Sequence, residues 1–201
     1  MSDTSSTLGT PPPKRGDRRW WLGAAMAGVL LLAFIVFVAT RDTRPKAVAY
    51  PVAPVTTLPT GSAAPAFSLP RLGGGQTVTL ASTLGTPTVV NFFASWCKDC
   101  QAELGNFATL SARTAGHVTI IGIDANDADA SAAQTLLANA HATYPVGVDS
   151  KAVTATAYLL TALPVTFFLD AGGRIVHVAL GTQTLASLTH WTDALTLGTV
   201  R

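Results

Sequence analysis

The segment that most limits what this chain can fold into is TPTVVNFFASWCKDCQAEL, Thr86 to Leu104. Its first half is a continuous apolar run, the pattern of a strand buried on both faces of a parallel sheet. Its second half starts a helix, because Cys100, Leu104 and Phe107 recur at i, i+4 and i+7 and so share one face. A helix is expected from about Cys97 to Ala115, ended by Gly116. The rest of the C-terminal region repeats this alternation: strand VTIIGID (Val118 to Asp124), a helix from about Asp129 to Ala142, strand YPVGVD, a helix from about Lys151 to Leu160. A hairpin VTFFLD, AGG, RIVHVALG follows, then a last helix near Leu185 to Leu197. Two short strands, AFSL and TVTL, precede the set around a GGG turn. Strands that alternate with helices and finish in a hairpin predict an α/β fold with a mixed central sheet.

Both cysteines of the chain lie in this segment, as Cys97 and Cys100. Cys97 falls where the buried strand gives way to the helix, and unpaired N–H groups and the dipole at a helix start favour an anion. Cys100 lies on the core-facing stripe. An accessible thiolate with a second thiol in reach is what thiol–disulfide exchange needs: one sulfur attacks and the other resolves. A zinc site wants four ligands, and His117, His141, His177 and His190 show no H-x₃₋₅-H spacing, so no metal is expected. A structural staple closing so short a loop would remove little chain entropy. The expectation is a redox centre that needs no cofactor.

Hydrophobic residues make up 48% of the chain and charged ones 12%, more apolar than an ordinary soluble protein. Much of the excess sits in WWLGAAMAGVLLLAFIVFVAT, Trp20 to Thr40, a run free of charge and long enough to cross a hydrocarbon core of about 30 Å. It is expected to be a transmembrane anchor. A cleaved signal peptide is the alternative, although its apolar region is usually shorter and Val38 and Thr40 make a poor cleavage site. Lys14, Arg15, Arg18 and Arg19 precede the run, while Arg41, Arg44 and Lys46 follow it. That small excess puts the N-terminus in the cytoplasm and the remainder outside the cell membrane. Residues 1–19 read as a disordered tail, 20–40 as the anchor, 41–62 as a proline-rich linker and 63–201 as one domain. Seven of the 13 Lys and Arg residues precede position 47, which leaves the domain with six basic and eight acidic residues and no nucleic-acid footprint.

In the motifs APAFSLP, VVNFFASWCKDCQAEL and ALPVTFFLDAGGRIV, and in their order, the chain resembles the bacterial membrane-anchored thioredoxin-like proteins of the TlpA/ResA type. The likeness spans about Ala63 to Leu197. It implies a thioredoxin-like fold with an N-terminal β-hairpin extension and a central βα insertion. It also implies that Cys97 attacks, Cys100 resolves, Trp96 is the aromatic residue beside them, and Leu163-Pro164 is the cis-proline pair that docks substrate backbone. Glu103 matches a glutamate that handles the active-site proton, and Asn91 stands where cytoplasmic thioredoxins carry a buried aspartate. Asp99 departs from the family's usual proline before the second cysteine. Lys98 favours the Cys97 thiolate and Asp99 opposes it.

The activity this resemblance implies is dithiol–disulfide exchange on protein substrates, as a reductant fed by a membrane thiol carrier, with apocytochromes c among the candidate substrates. A DsbE-like oxidase and a redox-passive docking module are the alternatives. Two further patterns carry less. DANDAD, Asp124 to Asp129, resembles a calcium loop but lacks its glycine and closing glutamate. A peroxiredoxin would place Thr or Ser three residues before its cysteine and a proline further back, where Ala94 and Val90 stand.

Overall fold

The computed structural model describes residues 30–37 and 58–199. Residues 30–37 are helical and belong to a unit separate from the rest. Among the described residues, no helix is long and apolar enough to cross a membrane. The tail 1–19, the remainder of the apolar run, and the linker up to residue 57 lie outside the described residues.

In the second unit, β1 (Ser68–Leu69) and β2 (Val78–Thr79) form a short antiparallel pair. Then come β3 (Thr88–Phe93), α1 (Lys98–Arg113), β4 (Thr119–Ala125), α2 (Ala130–Asn139), β5 (Val146–Asp149) and α3 (Val153–Ala157). The chain ends with the hairpin β6 (Val165–Leu169) and β7 (Ile175–Leu180), followed by α4 (Leu185–Thr196). The main sheet has the order β5-β4-β3-β6-β7. Strands β3, β4 and β5 are parallel, while β6 runs antiparallel to β3 and β7 antiparallel to β6. This is the mixed sheet expected from the sequence.

Strand β3 lies at the centre because it can be buried on both sides. Val89 and Phe93 pack with Leu104, Phe107 and Leu188 on the face covered by α1 and α4. Val90 and Phe92 pack on the other face with Tyr158 and Phe167. The Tyr158 ring lies 4.9 Å from those of both Phe92 and Phe167, and its hydroxyl donates to the Pro65 carbonyl at 2.9 Å. One aromatic side chain thus ties the second core layer to the start of the domain.

Glycine is required at Gly122 in β4. A Cβ there would meet Val146 Cγ2 at 2.9 Å and Phe93 Cε1 at 3.1 Å, so a side chain would force these neighbours apart. Element ends differ from expectation where local chemistry decides. Helix α2 starts one residue late because the Asp129 side chain is its cap, accepting from the amides of Ser131 and Ala132. Helix α3 is much shorter than Lys151 to Leu160. Ala152 and Leu159 take left-handed backbone at φ 53° and 56°, and the β-branched Val153, Thr154 and Thr156 propagate a helix poorly.

Candidate functional site

The helix that follows β3 starts at the disulfide. Cys97 is the cap of α1 and its sulfur accepts the Cys100 amide at 3.2 Å. Cys97 and Cys100 are bonded at an S–S distance of 2.07 Å, with Cα atoms 5.2 Å apart. Cys97 is 8% exposed and Cys100 fully buried, as the helical stripe requires. Lys98 and Asp99 are both exposed in the first turn. The Asp99 carbonyl accepts from the Thr182 hydroxyl at 3.2 Å.

One turn beyond Cys100, Glu103 has no exposed surface. Its Oε1 accepts from Asn91 Nδ2 at 2.8 Å and its Oε2 from the Gln183 amide at 2.7 Å. Asn91 Nδ2 also reaches Thr166 Oγ1 at 3.2 Å, linking β3 to β6, whereas Asn91 Oδ1 has no partner. Burial dominates and pushes the Glu103 carboxyl up to about 7, against the lowering effect of the two hydrogen bonds. A carboxyl so placed exchanges its proton near neutrality while both charge states are accommodated: burial favours the acid, the donors favour the carboxylate.

On the outer side, Trp96 is 60% exposed and its Nε1 donates to the Asn126 carbonyl at 3.2 Å. Trp96, Asn126, Ala155, Leu160 and Leu163 line a groove of about 190 Å³ beside the cysteines. The Leu163–Pro164 bond is cis, and the Pro164 carbonyl accepts from the Gly181 amide at 2.9 Å. The structure therefore brings Trp96, Cys97 and Leu163 to one surface and Cys100 and Glu103 beneath it.

Sequence reasoning passed over Gln183 and Thr166, and took Asp124 and Asp127 only as members of the DANDAD stretch. Gln183 lies in a loop with no local signal, yet its amide holds Glu103 and its carbonyl accepts from Asn106 Nδ2 at 3.0 Å. Asp127 Oδ2 accepts the Ser95 amide at 2.7 Å and its Oδ1 the Asp129 amide at 3.0 Å. Of the acids in the DANDAD stretch, Asp127 and Asp129 thus serve backbone amides, as a strand-to-helix turn demands, whereas Asp124 does not. Asp124 could have been noticed, since a carboxyl ending a strand buried on both faces is costly. Of the histidines, His177 stacks on Trp191 at 3.6 Å between β7 and α4. Among the described residues, no group of three or more His, Cys, Asp or Glu is arranged to hold a metal ion.

A disulfide at a helix start, with Cys97 slightly exposed and with Cys100 and Glu103 buried on one helix face, on a sheet of this order, defines a thioredoxin-like thiol–disulfide oxidoreductase. Residues 60–178 match the AhpC/TSA family, and the chain belongs to that family. It is 31% identical over 126 residues to the thioredoxin-like protein YneN of Bacillus subtilis, covering 62% of this chain and 73% of the relative. To the thiol-disulfide oxidoreductase ResA of Bacillus cereus it is 27% identical over 137 residues, covering 68% and 78%. Among solved structures, a thiol:disulfide interchange protein DsbE from Chlorobium tepidum superimposes with a TM-score of 0.64 at 26% identity, covering 70% of this chain and 99% of that one. The likeness to the TlpA/ResA type agrees with these relatives.

Proposed function

We propose that the chain is a single-pass membrane protein whose extracytoplasmic domain reduces disulfides in protein substrates, apocytochromes c among them, with electrons from a membrane thiol carrier. The anchor is residues 20–40, and the N-terminus is cytoplasmic; the charge-free run and the basic residues before it support this arrangement. The hairpin β1–β2 and the unit α2–β5 are read as the extension and insertion of TlpA/ResA-type members. The observation that carries the chemical reading is Cys100 sealed on the helix face it shares with Glu103.

In the reaction, the Cys97 thiolate attacks a substrate disulfide, forming a mixed disulfide and expelling one substrate thiolate. Lys98 and the start of α1 favour that thiolate, and Asp99 opposes it. Glu103 then takes the Cys100 proton, and the resulting thiolate attacks Cys97 Sγ and releases the second substrate thiolate. The two expelled substrate thiolates take up protons from solvent, which receives the Cys97 proton lost before the attack and the Cys100 proton released by Glu103; the substrate gains two electrons, and Cys97 and Cys100 end oxidised. Trp96, Leu163 and Pro164 shape the docking surface for the substrate chain.

The test is the reduction potential of the full chain in detergent micelles, equilibrated in redox buffer. A value near or below about −250 mV, close to thioredoxin, is expected for a reductant. A value above about −150 mV would make it an oxidase that forms disulfides in secreted proteins, and the reductive direction would be abandoned. Partner binding that survives Cys97→Ala with no exchange in the wild type would instead mark a redox-passive docking module.

A further inference from the structure

Asp124, the residue before the end of β4, lies on the face of the sheet that carries α1, paired in register with Phe93. It has no exposed surface, and neither of its carboxyl oxygens has a donor. The group it meets is a second carboxyl, that of Asp127. Two ionised carboxylates are acceptors only and cannot bond to each other; with one proton between them they become donor and acceptor. The remaining contacts of Asp127 show what that proton secures. Its Oδ2 accepts from the Ser95 amide at 2.7 Å, and Trp96 Nε1 donates at 3.2 Å to the carbonyl of the adjacent Asn126. The turn after β4 therefore grips the turn before α1 on both sides of the Ser95–Trp96 peptide, directly ahead of Cys97.

We propose that Asp124 is a positioning residue for thiol–disulfide exchange: carrying a proton, it donates to Asp127, and Asp127 in turn fixes the Ser95 peptide that presents Trp96 and Cys97 to the substrate. Other groups around it do not replace this partner. From α1 the same face receives Cys100, within the disulfide, and Glu103, which is occupied by Asn91 and Gln183. Tyr144, ahead of β5, has a buried hydroxyl without a partner. Asp129 caps α2. Asp149 pairs with Ala125 and so faces the other side, where it accepts from Val153 and Ala155. Lys98 and Asp99 are exposed. The neighbours of Asp124 across the sheet, Phe93 and Val148, do not titrate.

Burial, then the charge and hydrogen bond of Asp127, hold the Asp124 carboxyl up at about 7. For Asp127, burial is outweighed by the bonds from Ser95, Asp129 and Asp124, which keep it below the usual carboxylate range. The pair thus carries one proton in acid and releases it to solvent near neutrality. Two facing carboxylates then repel, and the grip on Ser95 loosens.

The inference takes its consequence for catalysis from the exchange reading, but its test uses no turnover, so a failure of either is visible separately. The ¹⁵N amide signals of Ser95 and Gln183 are followed from about pH 5 to 9 in the oxidised full chain in detergent micelles. Gln183 reports on Glu103 and Ser95 on the Asp124–Asp127 pair. The expected result is a Ser95 inflection near 7 that disappears in Asp124→Asn, which keeps a donor but cannot ionise, while the Gln183 inflection persists. A Ser95 signal that is flat in the wild type, or that titrates unchanged in Asp124→Asn, overturns the proposal. Should Asp124→Asn not fold, ¹³C carboxyl shifts of aspartate-labelled wild type decide: one aspartate titrating near neutrality is expected, and none doing so overturns it.

Discussion

Cys97 caps α1 beside a groove lined by Trp96 and Leu163, whereas Cys100, one turn on, is sealed from solvent and shares its helix face with Glu103. Both sulfurs belong to the same bond, yet only Cys97 keeps some exposed surface, while Cys100 has none and lies on the buried helix face with Glu103. The difference teaches how one short motif divides its work. Under the proposed mechanism, access and thiolate stabilisation fall to the outer cysteine and proton handling to the inner one.

Substituting the outer cysteine tests that division most severely. Cys97→Ala should bring reduction of a protein disulfide, followed as insulin precipitation with dithiothreitol, down to the uncatalysed background. Cys100→Ala should keep the first attack and accumulate a covalent substrate adduct visible by mass spectrometry. If Cys100→Ala formed no adduct while Cys97→Ala did, the two roles would be reversed.

The inner half is sharpened by Glu103→Gln. General acid–base assistance is commonly worth 10²–10⁴-fold, and because only the resolving step is affected, a loss of about a hundredfold in resolution rate at neutral pH is expected. The inflection near 7 in the rate profile should vanish with it. A rate that is unchanged, with the inflection intact, would remove Glu103 from the proton path.

Stability provides a smaller effect with a definite sign. Glu103 rises from 4.5 to about 7 and Asp124 from 3.8 to about 7 on folding. Between those values the folded chain holds protons that the unfolded chain has released, so stability falls as pH rises through this window. Each carboxyl contributes a decrease on the order of 3 kcal/mol. Urea unfolding at about pH 4.5 and 7.5 should show it, and Glu103→Gln and Asp124→Asn should each flatten the slope. A steeper decline in either variant would contradict the burial argument.

The smallest effect concerns the outer surface. Trp96→Ala removes one wall of the groove and the bond to Asn126, and should raise KM for a protein disulfide several-fold while leaving reaction with dithiothreitol nearly unchanged. As an exposed side chain it should alter stability by no more than about 0.5 kcal/mol. Equal losses with both substrates would mean that Trp96 acts on the sulfurs rather than on docking.

The contrast between the cysteines was largely legible in the sequence, because Cys100, Leu104 and Phe107 repeat at helical spacing and the run before Cys97 is buried on both faces. The mixed sheet followed from the alternation of strands and helices. What could not be read was anything that depends on two distant segments meeting. The Gln183 amide that holds Glu103 comes from a loop 80 residues away. The Asp127 carboxylate that holds Ser95 comes from the next strand's turn, 32 residues on. Helix α3 falls short of Lys151 to Leu160 although that stretch contains three alanines, because the left-handed backbone at Ala152 and Leu159 is a tertiary outcome that no spacing announces.

The segment that opens the domain lies along two borders of the sheet. Ala63 bridges Arg174 at the start of β7, where Ile175 donates to the Ser62 carbonyl at 2.9 Å. Arg71 bridges Gly147 on β5, flanked by bonds from Leu72 to Val146 at 2.8 Å and from Val148 to Pro70 at 2.9 Å. A Cβ on Gly147 would sit 2.9 Å from that of Leu69, so the strap lies tight against the border. Unpaired strand borders recruit other strands, and proteins cover them to avoid doing so. Exchange with the disulfides of protein substrates brings other chains, whose extended segments can add to a sheet, close to such borders. With β5 and the start of β7 covered by its own backbone, the domain offers such a segment less open border on which to pair.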